Sequence, residues 1–350
     1  MKYFTQIIFL FYSLSISADY SLEENYRLIK DKSFFERSLH NSLYESYLDL
    51  DITATIDGYT LSQDINEISS SSKTSTEKEA AVLALLNENQ STQNFVELNS
   101  AFAIPLPSIN IKKYRLTSSL FYSLNLSSLF AISTFDSATS PSTKVYMNKE
   151  TRAGVSTIIT HQDKRESFWK LNLFYSRKDD TLINQSVNDL LRNTKIYDFG
   201  TLNKGESNLS ADLLWNTKNI HRTIKLEVYD LDLIDLSSQK ALTFSSTPLL
   251  HLFYQRHTKS LKDYRFEFFG GLHYRDEVPL LDGLYIGSWF YSQRSSFRTS
   301  ISVSKSFLSV VPEYKGDRFF INYKFKLSYL GKRDGFKTPI IHTLSSGITF

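Results

Sequence analysis

The 350-residue sequence contains no cysteine, only 12 glycines and only 7 prolines. Without cysteine there is no disulfide scaffold, no thiol nucleophile and no Cys-ligated zinc site. The low glycine and proline content excludes collagen-like and proline-rich chains. An excess of charge of one sign is also missing, because 40 Lys and Arg balance 37 Asp and Glu for a net charge of +3. We therefore expect no nucleic-acid partner, which would require a basic surface.

Sequence motifs of phosphate binding and hydrolysis are absent as well. There is no P-loop, no dinucleotide-binding glycine pattern, no G-x-S-x-G elbow and no H-E-x-x-H, and the seven histidines are scattered. We predict no cofactor and no metal, and no catalytic residue is assigned. One enzymatic alternative stays open, a lipid hydrolase with His and Ser on the outer face of membrane strands, for which His251 and His273 are the candidates.

The first 18 residues have the three regions of a secretory signal peptide. Met1 and Lys2 form a short positive start, an apolar run follows at 3–12, and small residues at 13–18 predict cleavage after Ala18. The alternative is an uncleaved anchor helix, but the apolar run is shorter than the roughly 20 residues that a helical span needs. We therefore expect an exported chain.

Residues 19–94 carry helical signals and differ from the rest of the chain. S/T-x-x-E capping boxes predict helix starts, and apolar residues four positions apart predict one helix face. The signals are the boxes at Ser21, Ser33 and Thr74, the apolar residues Leu39, Leu43 and Tyr47, a candidate strand at 52–56 and a serine linker at 69–72. We interpret 19–94 as a small helical periplasmic segment, and the alternative is a plug that inserts into a pore.

From about residue 113 the apolar residues recur at every second position. Successive side chains of a strand point to opposite faces, so each segment has one apolar and one polar face. The segments are 113–134, 150–161, 167–177, 195–202, 207–216, 222–229, 247–257, 264–274, 284–292, 296–309, 318–330 and 340–350. A further segment at 95–106 alternates before two prolines, so we assign 95–350 to one all-β domain.

Two architectures use such strands, a soluble sandwich and a transmembrane antiparallel barrel. Many of the segments have ten residues or more, whereas soluble strands average about 5–6 and membrane strands about 9–11. Tyr, Phe and Trp also stand at strand ends, where a barrel has its aromatic girdles. We predict a transmembrane barrel of about twelve strands, within a range of 10–14. One connection, 230–246, then falls on the periplasmic side and is too long for a turn, so it folds on itself or a hairpin is missing from the count.

The C-terminal residues have a single parity of mostly apolar side chains. These residues are Ile340, His342, Leu344, Ser346, Ile348 and Phe350. The pattern resembles Gram-negative outer-membrane β-barrel proteins, whose last strand typically ends in Phe after alternating apolar residues. The resemblance implies a location in the outer membrane, contact with its lipid, and recognition of Phe350, Ile348 and Leu344 by the barrel assembly machinery. Ser346 and His342 depart from a fully apolar face.

In a barrel of this kind the polar strand faces line the lumen. The candidate lumen-lining residues are Lys170, Arg265, Glu267, Arg275, Arg298, Lys324 and Lys326. A basic stripe beside a water path favours anions, whereas internal salt bridges neutralise it, and both interpretations stay open. We predict a pore or channel for passive passage or uptake of a small solute. The alternatives are a structural or surface-interaction barrel with a closed lumen, and the lipid hydrolase.

Overall fold

The computed structural model describes residues 26, 29–30, 47–90, 92–133, 142–192, 199, 202, 205–237, 248–258, 263–276, 280–292, 295–328, 332–333, 336–337 and 339–349. The elements in chain order are β1 Tyr47–Ala54, α1 Ile56–Ser70, α2 Ser75–Glu88, β2 Gln93–Pro105, β3 Ile109–Ile111, β4 Tyr114–Ser133, β5 Ser142–His161, β6 Lys164–Gln185, α3 Val187–Arg192, β7 Gly205–Lys218, β8 Arg222–Asp235, β9 Leu249–Arg256, β10 Tyr264–Tyr274, a 3-10 turn Leu280–Gly283, β11 Leu284–Ser292, β12 Phe297–Ser304, β13 Phe307–Lys315, β14 Phe319–Ser328, β15 Lys332–Arg333, β16 Phe336–Lys337 and β17 Ile341–Thr349.

The strands form one closed antiparallel barrel. Each barrel strand pairs with the barrel strands that precede and follow it in the chain, and β1 closes the ring by pairing with β2 on one side and with β17 on the other. β2 and β3 pair with different parts of the same strand, β4, and are counted together as one strand of the ring. The described barrel therefore has fourteen strands. The β15–β16 hairpin is a separate two-stranded sheet.

Polar and apolar side chains are distributed in the opposite way to a soluble protein. In β1, Leu48, Leu50 and Ile52 are 40–47% exposed, whereas Asp49 and Asp51 are at most 8% exposed. The same alternation continues around the ring, so the apolar faces point outward and the polar faces point into the lumen. A sandwich would bury the apolar faces between two sheets, so that alternative is wrong.

The predicted strand number of about twelve is too low, although fourteen lies within the predicted range. Three strands are missing from the prediction: β1, β2 as a counted strand, and β13. The segment predicted at 195–202 contains no strand among its described residues, 199 and 202. The β12–β13 hairpin was hidden because its turn has only two residues, Lys305 and Ser306. The run of alternating apolar residues passes through the turn without a break, although Phe307 faces the lumen and Phe297 faces outward.

The two ends of the barrel differ in the length of their connections. At the end where β17 finishes, which we name the turn end, the connections are 112–113, 162–163, 219–221, 257–263, 293–296 and 316–318. At the opposite end, named the loop end, they are 55–92, 134–141, 186–204, 236–248, 275–283, 305–306 and 329–340. Counting β13 moves the long connection after β8 to the loop end. Of the two explanations given for the long connection 230–246, the missing hairpin is therefore the correct one, and that hairpin is β12–β13.

Three strands extend well past the rest of the barrel at the loop end. β4, β5 and β6 have 20, 20 and 22 residues, about twice the length that a membrane strand needs. Their outer faces in this extension are covered by α1, α2 and α3. The buried core comprises Leu61, Ile65, Val82, Leu86, Phe130, Ile132, Val145, Met147, Val187, Leu190 and Leu202. None of the described helices is long and apolar enough to span a membrane.

The helical hairpin of α1 and α2 connects two neighbouring barrel strands. The predicted capping box is present at the start of α2, where Thr74 and Glu77 each bond the other's backbone N–H. These bonds to Thr74 lower the pKa of the Glu77 carboxyl. The domain boundary predicted at residue 95 is wrong, because β1 at 47–54 is a barrel strand and Tyr47 starts that strand instead of completing a helix face. The predicted helix starts at Ser21 and Ser33 lie outside the described residues.

Candidate functional site in the barrel lumen

The lumen is wide enough to hold a helix. Fourteen strands spaced about 4.8 Å apart and tilted by about 40° give a backbone diameter of about 28 Å. One layer of side chains on each wall leaves room for a helix of about 10–12 Å diameter. Tyr26, Ile29 and Lys30 are helical residues at the spacing of one helix face, and all three contact inward-facing wall residues.

Tyr26 is fully buried against the wall formed by β2, β4 and β5. Its hydroxyl lies 2.5 Å from the Ser127 hydroxyl, and its ring centroid lies 4.5 Å from that of Tyr146 and 6.0 Å from that of Phe95. The apolar cluster around it comprises Tyr26, Ile29, Phe95, Leu129, Ala131, Tyr146, Phe307 and Ile341. Two of these residues lie on β13 and β17, so the cluster extends from one wall of the lumen to another near the loop end.

Lys30 forms an ion pair one turn further along. Its Nζ donates to Glu150 Oε2 at 3.0 Å and to Asn148 Oδ1 at 3.4 Å. The wall behind it is tightly connected, because Asn125 donates to Glu97 at 2.6 Å and accepts from Ser127 at 3.1 Å. A charged amine is therefore seated in a polar recess of the β4–β5 wall.

These contacts define the direction of the inserted helix. Tyr26 meets Ser127, which pairs with Asn148, whereas Lys30 meets Glu150, which pairs with Asn125 two residues closer to the turn end. Four helical residues rise about 6 Å and two strand residues about 7 Å, so the two steps agree. The helix runs from the loop end toward the turn end, where β1 begins.

A charge network links the β5 wall to β8 and to the residue that follows β10. Arg152 donates to Glu150 Oε1 and to Asp230 Oδ1, each at 2.7 Å, and Arg275 donates to Asp230 Oδ2 at 3.1 Å. Asp230 lies at an irregularity between β7 and β8 with a φ of 57°, a left-handed conformation that Asp tolerates better than most residues. Opposite charges alternate in this network, as burial of ions requires.

All seven predicted lumen residues lie on inward-facing positions of the barrel. Glu267, Arg275, Lys324 and Lys326 are buried, and the other three are half-buried. The structure does not arrange them as one basic stripe. Arg265 pairs with Glu267, Arg298 with Glu313 at 2.7 Å, and Arg275 with Asp230, so internal ion pairs neutralise these arginines.

An aromatic patch covers the lumen wall of β9, β10 and β11. It comprises Phe253, Phe269, Tyr285 and Trp289. At its edge His251 Nδ1 lies 2.5 Å from Glu227, and His251 Nε2 lies 2.6 Å from the Tyr285 hydroxyl. The lipid-hydrolase alternative requires histidine on the outer face, but His251 and His273 are both buried on the inward face. That arrangement is therefore wrong.

The predicted targeting residues are divided between described and undescribed parts of the chain. Leu344 and Ile348 point outward and are 47% and 45% exposed. Phe350 and Ala18 lie outside the described residues. The assembly signal and the cleavage site therefore stay predictions.

Sequence reasoning missed the residues that make the central contacts, Lys30, Glu150 and Arg152. Glu150 and Arg152 lie at the start of the predicted segment 150–161, where residues 150–152 are all polar, so the alternation there does not show which of them face inward. The nearest sequence signal to Lys30 was the capping box at Ser21, which predicts the start of a helix but not where that helix lies.

No protein-family model matches the chain, and no curated protein sequence matches it. Among solved structures, the transport unit of the autotransporter AIDA-I from Escherichia coli is similar at a TM-score of 0.44 and 6% identity, covering 94% of this chain and 98% of that one. The beta domain of the Bordetella autotransporter BrkA gives 0.34 and 6%, covering 87% and 98%. Pseudomonas putida OprB gives 0.35 and 6%, covering 91% and 97%. The chain resembles outer-membrane β-barrels as a class. Scores and identities this low say nothing about what it binds or transports.

Proposed function

We propose that this protein is an outer-membrane channel for small solutes whose lumen is closed by its own N-terminal segment. The observation that carries the proposal is the seating of Tyr26 and Lys30 on inward-facing wall residues. A polar lumen wide enough for a helix becomes a path for water when that segment leaves it.

The exterior of the barrel supports a membrane location. Large apolar side chains are 36–59% exposed along the outward faces of the strands, and water alone would not favour such a continuous belt. With the C-terminal strand ending on the periplasmic side, the turn end is periplasmic and the long loops with α1 and α2 are external. Outer-membrane lipid and the barrel assembly machinery are the partners that this proposal requires.

Passage depends on how the inserted segment is held. The apolar cluster around Tyr26 excludes water near the loop end, and the Lys30–Glu150 ion pair fixes the next turn. Apolar constrictions of this kind stop ions because water leaves them. Loss of the Tyr26 and Lys30 contacts should loosen the segment and open the lumen, while the wall network of Arg152 and Asp230 remains.

Planar-bilayer recording tests this proposal. We would compare the full chain, a chain lacking residues 19–40, and the double variant Tyr26→Ala, Lys30→Ala. A deletion of 19–94 is unsuitable, since it removes β1 and opens the ring. Lys78→Ala is the matched control, because that lysine bonds the Ser69 carbonyl in the external hairpin.

We expect small or rare conductance steps from the full chain and the control, and larger steps from the deletion and the double variant. Folding of each protein is checked by its heat-modifiable migration. Absence of conductance in all the folded proteins would overturn the proposal and favour a structural barrel with a closed lumen.

A further inference from the structure

We propose that the recess occupied by the Lys30 ammonium is a binding site for the primary ammonium group of a solute. This inference rests on the proposed channel, since a solute reaches the recess through the lumen. In the structure the chain's own lysine occupies the site, and a solute amine competes with it.

The recess is built from buried wall residues. Glu150, Asn148 and Glu97 are 5%, 2% and 1% exposed, and all three lie on inward positions of β2 and β5. Glu150 divides its two oxygens, because Oε1 accepts from Arg152 and Oε2 accepts from Lys30. Oε2 of the buried Glu150 carboxylate therefore accepts from Lys30, a donor that is not part of the barrel wall.

The geometry selects an ammonium. The donor meets a carboxylate oxygen at 3.0 Å and an amide oxygen at 3.4 Å, and both are acceptors. An anion finds no donor in this pair, and a neutral hydroxyl lacks the charge that stabilises the carboxylate. Arg152 keeps its place because it also bonds Asp230, so Glu150 is already ordered when the incoming amine arrives.

Exchange is feasible because Lys30 reaches the recess from the inserted segment rather than from a barrel strand. A solute amine that binds Glu150 replaces one ion pair by another of the same kind. The wall keeps the bonds of Glu150 to Arg152 and of Arg152 to Asp230, and the inserted helix loses one of the contacts that its described residues make with the wall. Binding of the amine and release of the segment are therefore coupled, and each favours the other.

The test uses the full-length chain with Lys30→Ala in detergent. Truncation removes three methylenes and the amine, so n-propylammonium is the matched probe, and n-propanol and propionate are its neutral and anionic counterparts. Binding is measured by titration calorimetry and by the shift in thermal unfolding. We expect n-propylammonium to bind Lys30→Ala and to raise its melting temperature toward that of the unmodified protein, with no effect from the counterparts.

Second variants separate recognition from folding. Adding Glu150→Gln should weaken n-propylammonium binding at least tenfold, and adding Asn148→Asp should strengthen it at least threefold. If Glu150→Gln fails to fold, the Asn148→Asp comparison decides alone. Equal effects of n-propylammonium and n-propanol would overturn the inference. Calorimetry measures binding independently of conductance. Binding of n-propylammonium without any channel conductance would refute only the proposed channel. Conductance without n-propylammonium binding would refute only the ammonium site.

Discussion

Placing a charge on the outward face of β9 tests which medium contacts that face. Leu252 lies in the middle of the strand and is 47% exposed. Its cross-strand partners are Leu226 on β8 and Leu272 on β10, so it is the centre of an apolar patch. Leu252→Arg leaves the lumen, the register and the backbone hydrogen bonds untouched.

The expected cost differs sharply between lipid and water. Arginine at the midplane of a bilayer-facing strand costs about 2–4 kcal/mol. That range corresponds to a loss of roughly 30- to 900-fold in the folding equilibrium. On a face exposed to water the same substitution changes stability by about 0.5 kcal/mol or less.

The measurement is guanidinium unfolding of the protein in lipid vesicles, followed by heat-modifiable migration. Ile220→Arg is the matched control, because Ile220 is 86% exposed in the connection between β7 and β8 at the turn end. We expect a large destabilisation at Leu252 and almost none at Ile220. Equal small effects at both sites would refute the proposal that hydrocarbon covers the barrel exterior.

Two further predictions concern local packing. A Cβ at Gly287 would clash with the Phe269 ring across the β10–β11 pair. Gly287→Ala should therefore destabilise the barrel by about 1–3 kcal/mol in the same vesicle assay. Gly270→Ala is the control and should not destabilise it, because a Cβ at Gly270 makes only ordinary contacts. Thr74→Ala removes the N-cap of α2, so exchange of the first-turn amides should accelerate about fivefold in hydrogen-exchange mass spectrometry; unchanged exchange would contradict this. Because the folded pKa of Glu77 is lowered, its contribution is present above the unfolded pKa and disappears as pH falls through the folded value, so these amides should also lose protection in acid.

Much of the barrel was predictable because its strands have an apolar outward face and a polar inward face. A lipid-facing side chain and a lumen-facing side chain alternate, so the period of two is present in the sequence wherever both media are present. The inward assignment of Lys324 and Lys326 follows from that parity alone. In the loop-end extension of β5, helices cover the outward face, and the alternation is too weak to predict the strand.

Strand number and connectivity were less predictable than strand faces. Across a two-residue turn, apolar residues continue at every second position, but the odd-numbered residues change from the outward to the inward face. In the sequence, β12 and β13 therefore look like one strand. β1 is separated from β2 by a helical hairpin, and only its pairing with β17 shows that it closes the ring. Pairing partners at opposite ends of a chain leave no local signal.

The sequence by itself determined which face of each strand is apolar, because successive side chains of an extended backbone point to opposite sides. Only the tertiary structure decided what fills the interior. Lys30 and Glu150 are 120 residues apart, and no pattern in the chain relates them. The contact between Lys30 and Glu150 forms only when fourteen strands close into a ring of one particular width and a helical turn fits inside that ring.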